Sequence, residues 1–156
     1  MEIPINRLSI QFSEMDLFEK DTDKKIDLSN EIEYIGLFFT GSWCPPCREF
    51  EKILIDFYNM TNAQAKKFEV IHVCSEKNQK DFKESVKDLP WAIIKYNNNL
   101  INLITTELKI ESIPMLIICT DQGDIITDEG RKDLMEDPNQ AYSTWMKKYD
   151  ELRGGE

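Results

Sequence analysis

The residues whose types and spacing can do chemistry are Trp43-Cys44-Pro45-Pro46-Cys47. Two thiols with two residues between them can attack a disulfide or form one when a helical turn sets them side by side. If the first cysteine stands just before a helix, the unpaired N–H groups and the positive end of the dipole favour its thiolate. On that reading Cys44 is the attacking sulfur, and Cys47, one turn along and better shielded, is the resolving partner. Pro45 and Pro46 each remove an N–H and hold one φ, which stiffens the spacer. Trp43 adds a flat apolar wall beside the sulfur. The plain rival is a disulfide or metal clip without turnover. A Cys44/Cys47/His72/Cys74 zinc set can be drawn, but there is only one CxxC and the second half lacks zinc-finger spacing, so no metal is assigned. Cys74 and Cys119 lie in apolar runs and read as small buried hydrophobes, and His72 reads as structural. Trp91 and Trp145 read as core aromatics.

The motif needs a strand before it and a helix after it. Tyr34–Thr40 is a dense apolar run ended by Gly41-Ser42, a central strand. From Pro45 to about Met60, the residues Phe50, Ile53, Leu54, Phe57 and Tyr58 recur at helical spacing, with the prolines in the first turn. Phe68–Ser75 and Met115–Cys119 are further buried strands, and Ile125–Thr127 returns as a hairpin after the Asp121–Asp124 turn. Asn78–Leu89, Leu100–Ile110 and Pro138–Tyr149 are helix candidates, Leu8–Phe12 a weak strand, and 153–156 a frayed tail. The alternation of strand and helix, taken alone, implies an α/β domain with a mostly parallel sheet and helices on both faces.

With 156 residues, 41% of them apolar, the chain can bury the core of one domain, and general disorder is excluded. We take it as one domain over 1–156 with its core at about 14–149. A net charge of −10 argues against nucleic acid and anionic membrane as partners. No apolar run approaches the ~18 residues of a membrane span, and MEIPINRLSIQF lacks the layout of a secretory signal. The expected compartment is the cytoplasm, where structural disulfides are rare.

The motifs, taken in order, resemble the tryparedoxin/nucleoredoxin group of thioredoxin-fold proteins. The matching stretches are IDLSNEIEYIGLFFTGSWCPPCREF, FEVIHVCSEKNQKDF, LPW at Leu89–Trp91, ESIPMLII and DQGDIITDEGR, together covering about residues 14–146. The resemblance implies a thioredoxin-like fold, with a central mixed sheet flanked by helices on both faces. It implies a cis proline opposite the CxxC loop, which Pro114 matches. There the Ile113 backbone could pair with a client chain. Trp43, Pro45, Pro46, Ile113, Pro114 and Arg131 would border the substrate, Arg131 by binding a carboxylate of a thiol peptide.

One departure from ordinary thioredoxins matters. They carry a buried acid six residues before the first cysteine, where Phe38 stands here. Glu76 falls where the group has an aspartate and is a candidate proton relay for Cys47. The resemblance implies a protein thiol–disulfide oxidoreductase acting as a monomer, with no bound cofactor beyond a redox-active Cys44–Cys47 disulfide. Its partners would be disulfide-containing proteins, peroxidases among them. The electron donor would be a dithiol, a glutathione-type thiol or a reductase. A redox-sensitive scaffold using the CxxC as a switch is the alternative.

Overall fold

The computed structural model describes residues 5–28 and 30–153. Its strands are β1 (Phe18–Glu19), β2 (Tyr34–Thr40), β3 (Phe68–Cys74), β4 (Ala92–Ile93), β5 (Met115–Thr120) and β6 (Ile125–Thr127). Its α-helices are α1 (Pro45–Thr61), α2 (Gln79–Val86), α3 (Asn99–Glu107), α4 (Gly130–Glu136) and α5 (Pro138–Leu152), with a 3₁₀ turn at Phe12–Glu14.

The strands form one sheet in the order β1-β4-β3-β2-β5-β6. Only β2–β3 and β3–β4 are parallel; β1–β4, β2–β5 and β5–β6 are antiparallel. This corrects the mostly parallel sheet expected from the alternation of elements and agrees with the mixed sheet implied by the resemblance. The reason lies in α3. It carries the chain along the sheet and delivers β5 with Met115 beside Phe39, at the end where β2 finishes. β5 must therefore run back against β2.

Leu8–Phe12 is not a strand. Leu8 N–H donates to the Gly123 carbonyl at 3.0 Å, Arg7 bridges to Asp124, and the chain then turns at Phe12. The segment caps the sheet with buried Leu8, Phe12, Met15 and Leu17 rather than extending it. The helix expected over Leu100–Ile110 ends at Glu107, and the one expected over Asn78–Leu89 ends at Val86. Asn78 and Asn98 stay outside as N-caps, accepting from Asp81 and Leu100 N–H at 2.8 Å each. Asp137 caps α5 in the same way, from Asn139 and Gln140. Of the expected frayed tail, Arg153 is ordered by an ion pair to Asp121 at 2.9 Å; residues 154–156 lie outside the described residues.

Because successive side chains of a strand point to opposite faces, the central strands divide the interior in two. On one face Phe38, Phe68, Val70, Leu116 and Ile118 pack under α1, α2, α4 and α5, with Phe57, Trp91 and Trp145 filling the layer. Trp145 also donates to Asp133 at 3.1 Å, tying α5 to α4. On the other face Ile35, Leu37, Phe39, Ile71 and Ile117 pack under α3 and the N-terminal segment.

Candidate active site

β2 ends at Thr40, and the Cys44 N–H closes a turn onto the Gly41 carbonyl at 3.1 Å. Gly41 has no room for a side chain, since a Cβ there would lie 2.8 Å from the Trp43 ring nitrogen. The Trp43 ring lies across it and donates to the Ser75 carbonyl at 2.6 Å, so this half-exposed indole is held in place. Cys44 is then the N-cap of α1 with extended backbone, and Pro45 and Pro46 occupy the first turn, where a missing N–H costs nothing.

The Cys44 sulfur accepts a hydrogen bond from the Cys47 N–H at 3.4 Å. Cys44 retains 7% exposure and Cys47 none, so an incoming disulfide can reach only the first sulfur. Burial pushes the Cys47 thiol up to about 11, and its hydrogen bond with Cys44 adds to this. Hydrogen bonds from the Thr40 side chain and the Gly41 backbone act in the opposite sense, favouring the thiolate. Both cysteines are free thiols.

Two cavities lie beside the loop that carries this pair. One is a mostly apolar groove of about 230 Å3 lined by Trp43, Ile113, Thr40, Ile101, Thr105 and Ile110. The Ile113–Pro114 peptide on its rim is cis, as the resemblance implied. The other is a smaller polar pocket of about 90 Å3 on the α1 side, lined by Thr40, Ser42, Arg48, Glu51, His72 and Glu76.

Phe38 fills the position of the expected missing acid, with Phe50, His72 and Trp91 around its ring in edge-on geometry at 5.6–6.0 Å. Glu76 does lie beside the CxxC loop. Its carboxylate accepts from the Ser42 N–H at 2.8 Å and from the Ser42 hydroxyl at 2.5 Å, which pins the turn before Trp43. Arg131 sits half-buried in the first turn of α4, which starts against Leu116 close to Pro114. Its guanidinium borders neither cavity.

His72 is wholly buried; its Nδ1 accepts from the Trp91 indole at 3.2 Å, and burial pulls its pKa down to about 3. Among the described residues, no three His, Cys, Asp or Glu side chains are grouped to hold a metal ion, so the zinc set has no geometry behind it. Cys74 and Cys119 are buried and their thiols are pushed up by burial, Cys74 to about 12.

The sequence reading did not single out Thr40 or Glu51. Thr40 looked like the last residue of an apolar strand. Glu51 carries a signal that spacing could have shown: it follows Cys47 by four residues and therefore shares its helical face.

The chain matches the model of a thioredoxin-like family over residues 31–125. It is 36% identical over 113 residues to the tryparedoxin of Trypanosoma brucei brucei, covering 71% of this chain and 78% of that one. It is 29% identical over 116 residues to the nucleoredoxin of Danio rerio, covering 74% of this chain. The match spans 28% of that nucleoredoxin's length. A solved tryparedoxin II in complex with glutathionylspermidine superposes with a TM-score of 0.69 at 30% identity, over 80% of this chain and 88% of that one. No helix among the described residues is long and apolar enough to cross a membrane. By the family model it matches and by its identity to the tryparedoxin, the chain belongs to the thioredoxin-like family, in its tryparedoxin and nucleoredoxin group.

Proposed function

We propose that this protein is a thiol–disulfide oxidoreductase that reduces disulfides in client proteins. The observation that carries the reading is the pairing of an accessible sulfur at the start of α1 with a fully shielded one a turn along it. The Cys44 thiolate attacks one sulfur of a client disulfide; a Cys44–client bond forms and the client's other sulfur leaves as a thiolate. Cys47, having lost its proton, attacks the Cys44 sulfur. The Cys44–Cys47 disulfide forms, and the client leaves as a dithiol carrying the electron pair. A second dithiol then reduces the protein by the reverse exchange. The cycle needs no bound cofactor.

The groove supports the choice of client. Trp43 and Ile113 offer an apolar wall and a strand end against which an extended segment can pair. Pro45 and Pro46 form the exposed rim beside the sulfur. A glutathione-type thiol fits as electron donor, in line with the glutathionylspermidine bound by the tryparedoxin II, and Arg131 is the cation we assign to its carboxylate. Peroxidases with a reducible disulfide are the client class we favour. The reading puts a monomeric protein in the cytoplasm, where dithiols stay reduced.

The test is dithiothreitol-driven reduction of insulin disulfides. The wild type should catalyse it, Cys44→Ser should fall to the uncatalysed rate, and Cys47→Ser should accumulate a mixed disulfide visible by mass spectrometry. A wild type with no catalysis, on insulin or on a disulfide-form peroxidase, would replace turnover with a redox-sensitive scaffold.

A further inference from the structure

Resolution of the mixed disulfide requires the buried Cys47 thiol to lose a proton. Phe38 supplies no base where ordinary thioredoxins have one. The polar pocket on the α1 side holds three candidates. Its titratable and charged groups are Arg48 and Glu51 from α1, His72 from β3 and Glu76 from the loop after β3; α2 contributes only Ser85 to its wall. Cys74, at the end of β3, feels both carboxylates.

Two of the three are already engaged. Both Glu76 oxygens accept hydrogen bonds from Ser42. The acceptor nitrogen of His72 is taken by the Trp91 indole. Glu51 remains: half-buried, one turn beyond Cys47 on the same face of α1, and without a hydrogen bond or ion pair among the described residues. Thr40 connects the two places, because its side chain favours the Cys47 thiolate while also lining the pocket.

Resting on the oxidoreductase reading above, we propose that Glu51 is the acceptor of the Cys47 proton, reached across the pocket behind Thr40. In the step, the Cys47 S–H bond breaks and the carboxylate becomes a carboxylic acid. The electron pair left on sulfur makes the new bond to Cys44, and the client thiolate departs. The pocket, at about 90 Å3, has room for a water between Glu51 and Thr40. Burial, with the Glu76 charge adding and Arg48 opposing, raises the Glu51 pKa toward the range where a carboxylate serves as a base.

The experiment uses stopped-flow reaction of the reduced protein with dithionitrobenzoate. The first thionitrobenzoate released reports attack by Cys44, and the second reports resolution by Cys47. In the wild type the second phase should climb through the Glu51 titration to a plateau, then rise again toward the Cys47 pKa of about 11. In Glu51→Gln the plateau should vanish and the second phase should slow about 100-fold at neutral pH, with the first phase unchanged. Glu51→Asp should restore the plateau in part. Glu76→Gln removes a neighbouring negative charge, so it should move the titration to lower pH while keeping it. A Glu51→Gln profile with the wild-type plateau would overturn the proposal, as would loss of that plateau in Glu76→Gln alone. If the wild type gives no second phase, the dithiol reading falls and takes this proposal with it. If Cys44→Ser still shows a first phase, the assignment of Cys44 falls instead, on a readout that Glu51 does not touch.

Discussion

Four cysteines occupy two contrasting regions, the start of α1 and the interior of the strands. Cys44 and Cys47 stand at a helix start, where a turn breaks the regular ladder and the Cys47 N–H donates to the Cys44 sulfur instead of to a carbonyl. Cys74 and Cys119 stand inside the strand ladders, Cys74 at the end of β3 opposite Thr40 and Cys119 between Ile35 and Ile125. The residue type is the same, and all four side chains are largely out of water. What separates them is the supply of donors and the path to the surface. Burial without donors penalises the thiolate, so the Cys119 thiol is pushed far up, while Cys47 keeps the Thr40 and Gly41 hydrogen bonds that partly offset the same penalty. A thiol becomes chemical equipment through its backbone setting, and otherwise it is a small hydrophobe.

The largest expected effect that could break this contrast is on alkylation. In native protein treated with iodoacetamide, mass spectrometry should find Cys44 modified first, and Cys47 only as the pH approaches about 11. Cys74 and Cys119 should label more slowly than Cys44 by about 10³-fold or more, because their labelling waits for the core to open. Labelling of Cys74 as fast as Cys44 would erase the distinction.

A smaller effect sharpens the description of the strand interior. His72 shares β3 with Cys74 and is held neutral, its pKa pulled from the usual ~6.5 to about 3. The unfolded chain takes up a proton below about 6.5, and the folded chain does so only near 3. The contribution of His72 to stability is therefore complete above that upper value and is lost as the pH falls between the two. His72→Gln keeps an acceptor for Trp91 and has no such titration. Between pH 7 and pH 4 its urea-unfolding free energy should fall less than that of the wild type, by on the order of 2–3 kcal/mol. Equal losses in both proteins would show that His72 does not carry the acid sensitivity.

The smallest effect is expected at Cys119. Cys119→Ala should cost about 1 kcal/mol by denaturant unfolding and leave insulin reduction unchanged. Cys119→Ser should cost more, about 1–3 kcal/mol, because it buries a hydroxyl without a partner. A loss of activity in Cys119→Ala would give that thiol a role the strand interior does not suggest.

Much of this was legible beforehand, and where it was not the reason is physical. β2 was readable to both ends, because a seven-residue apolar run between polar turns has few alternatives. α1 and α5 were readable because a proline in the first turn and a helical apolar stripe mark the same segment. β1 and β4 were not, since two residues carry no periodicity and are strands only because a neighbour pairs with them. α4 was missed for a related reason. Its glycine start is dictated by contact with the Leu116 carbonyl, 2.8 Å from where a Cβ would stand.

By itself the sequence determined the strand-to-helix junction at Cys44, the order of the thiols and the apolar runs that build both faces of the sheet, because these depend on neighbours along the chain. Tertiary structure alone decided that β5 runs antiparallel to β2, which brings the cis Ile113–Pro114 peptide to the end of the sheet that carries the CxxC. It also decided which carboxylate is free. Glu76 and Glu51 stand 25 residues apart in sequence, and only the fold places them in one pocket and commits Glu76 to Ser42. Hydrogen-bond partners and burial are relations across space, and residue types in order along a chain do not contain them.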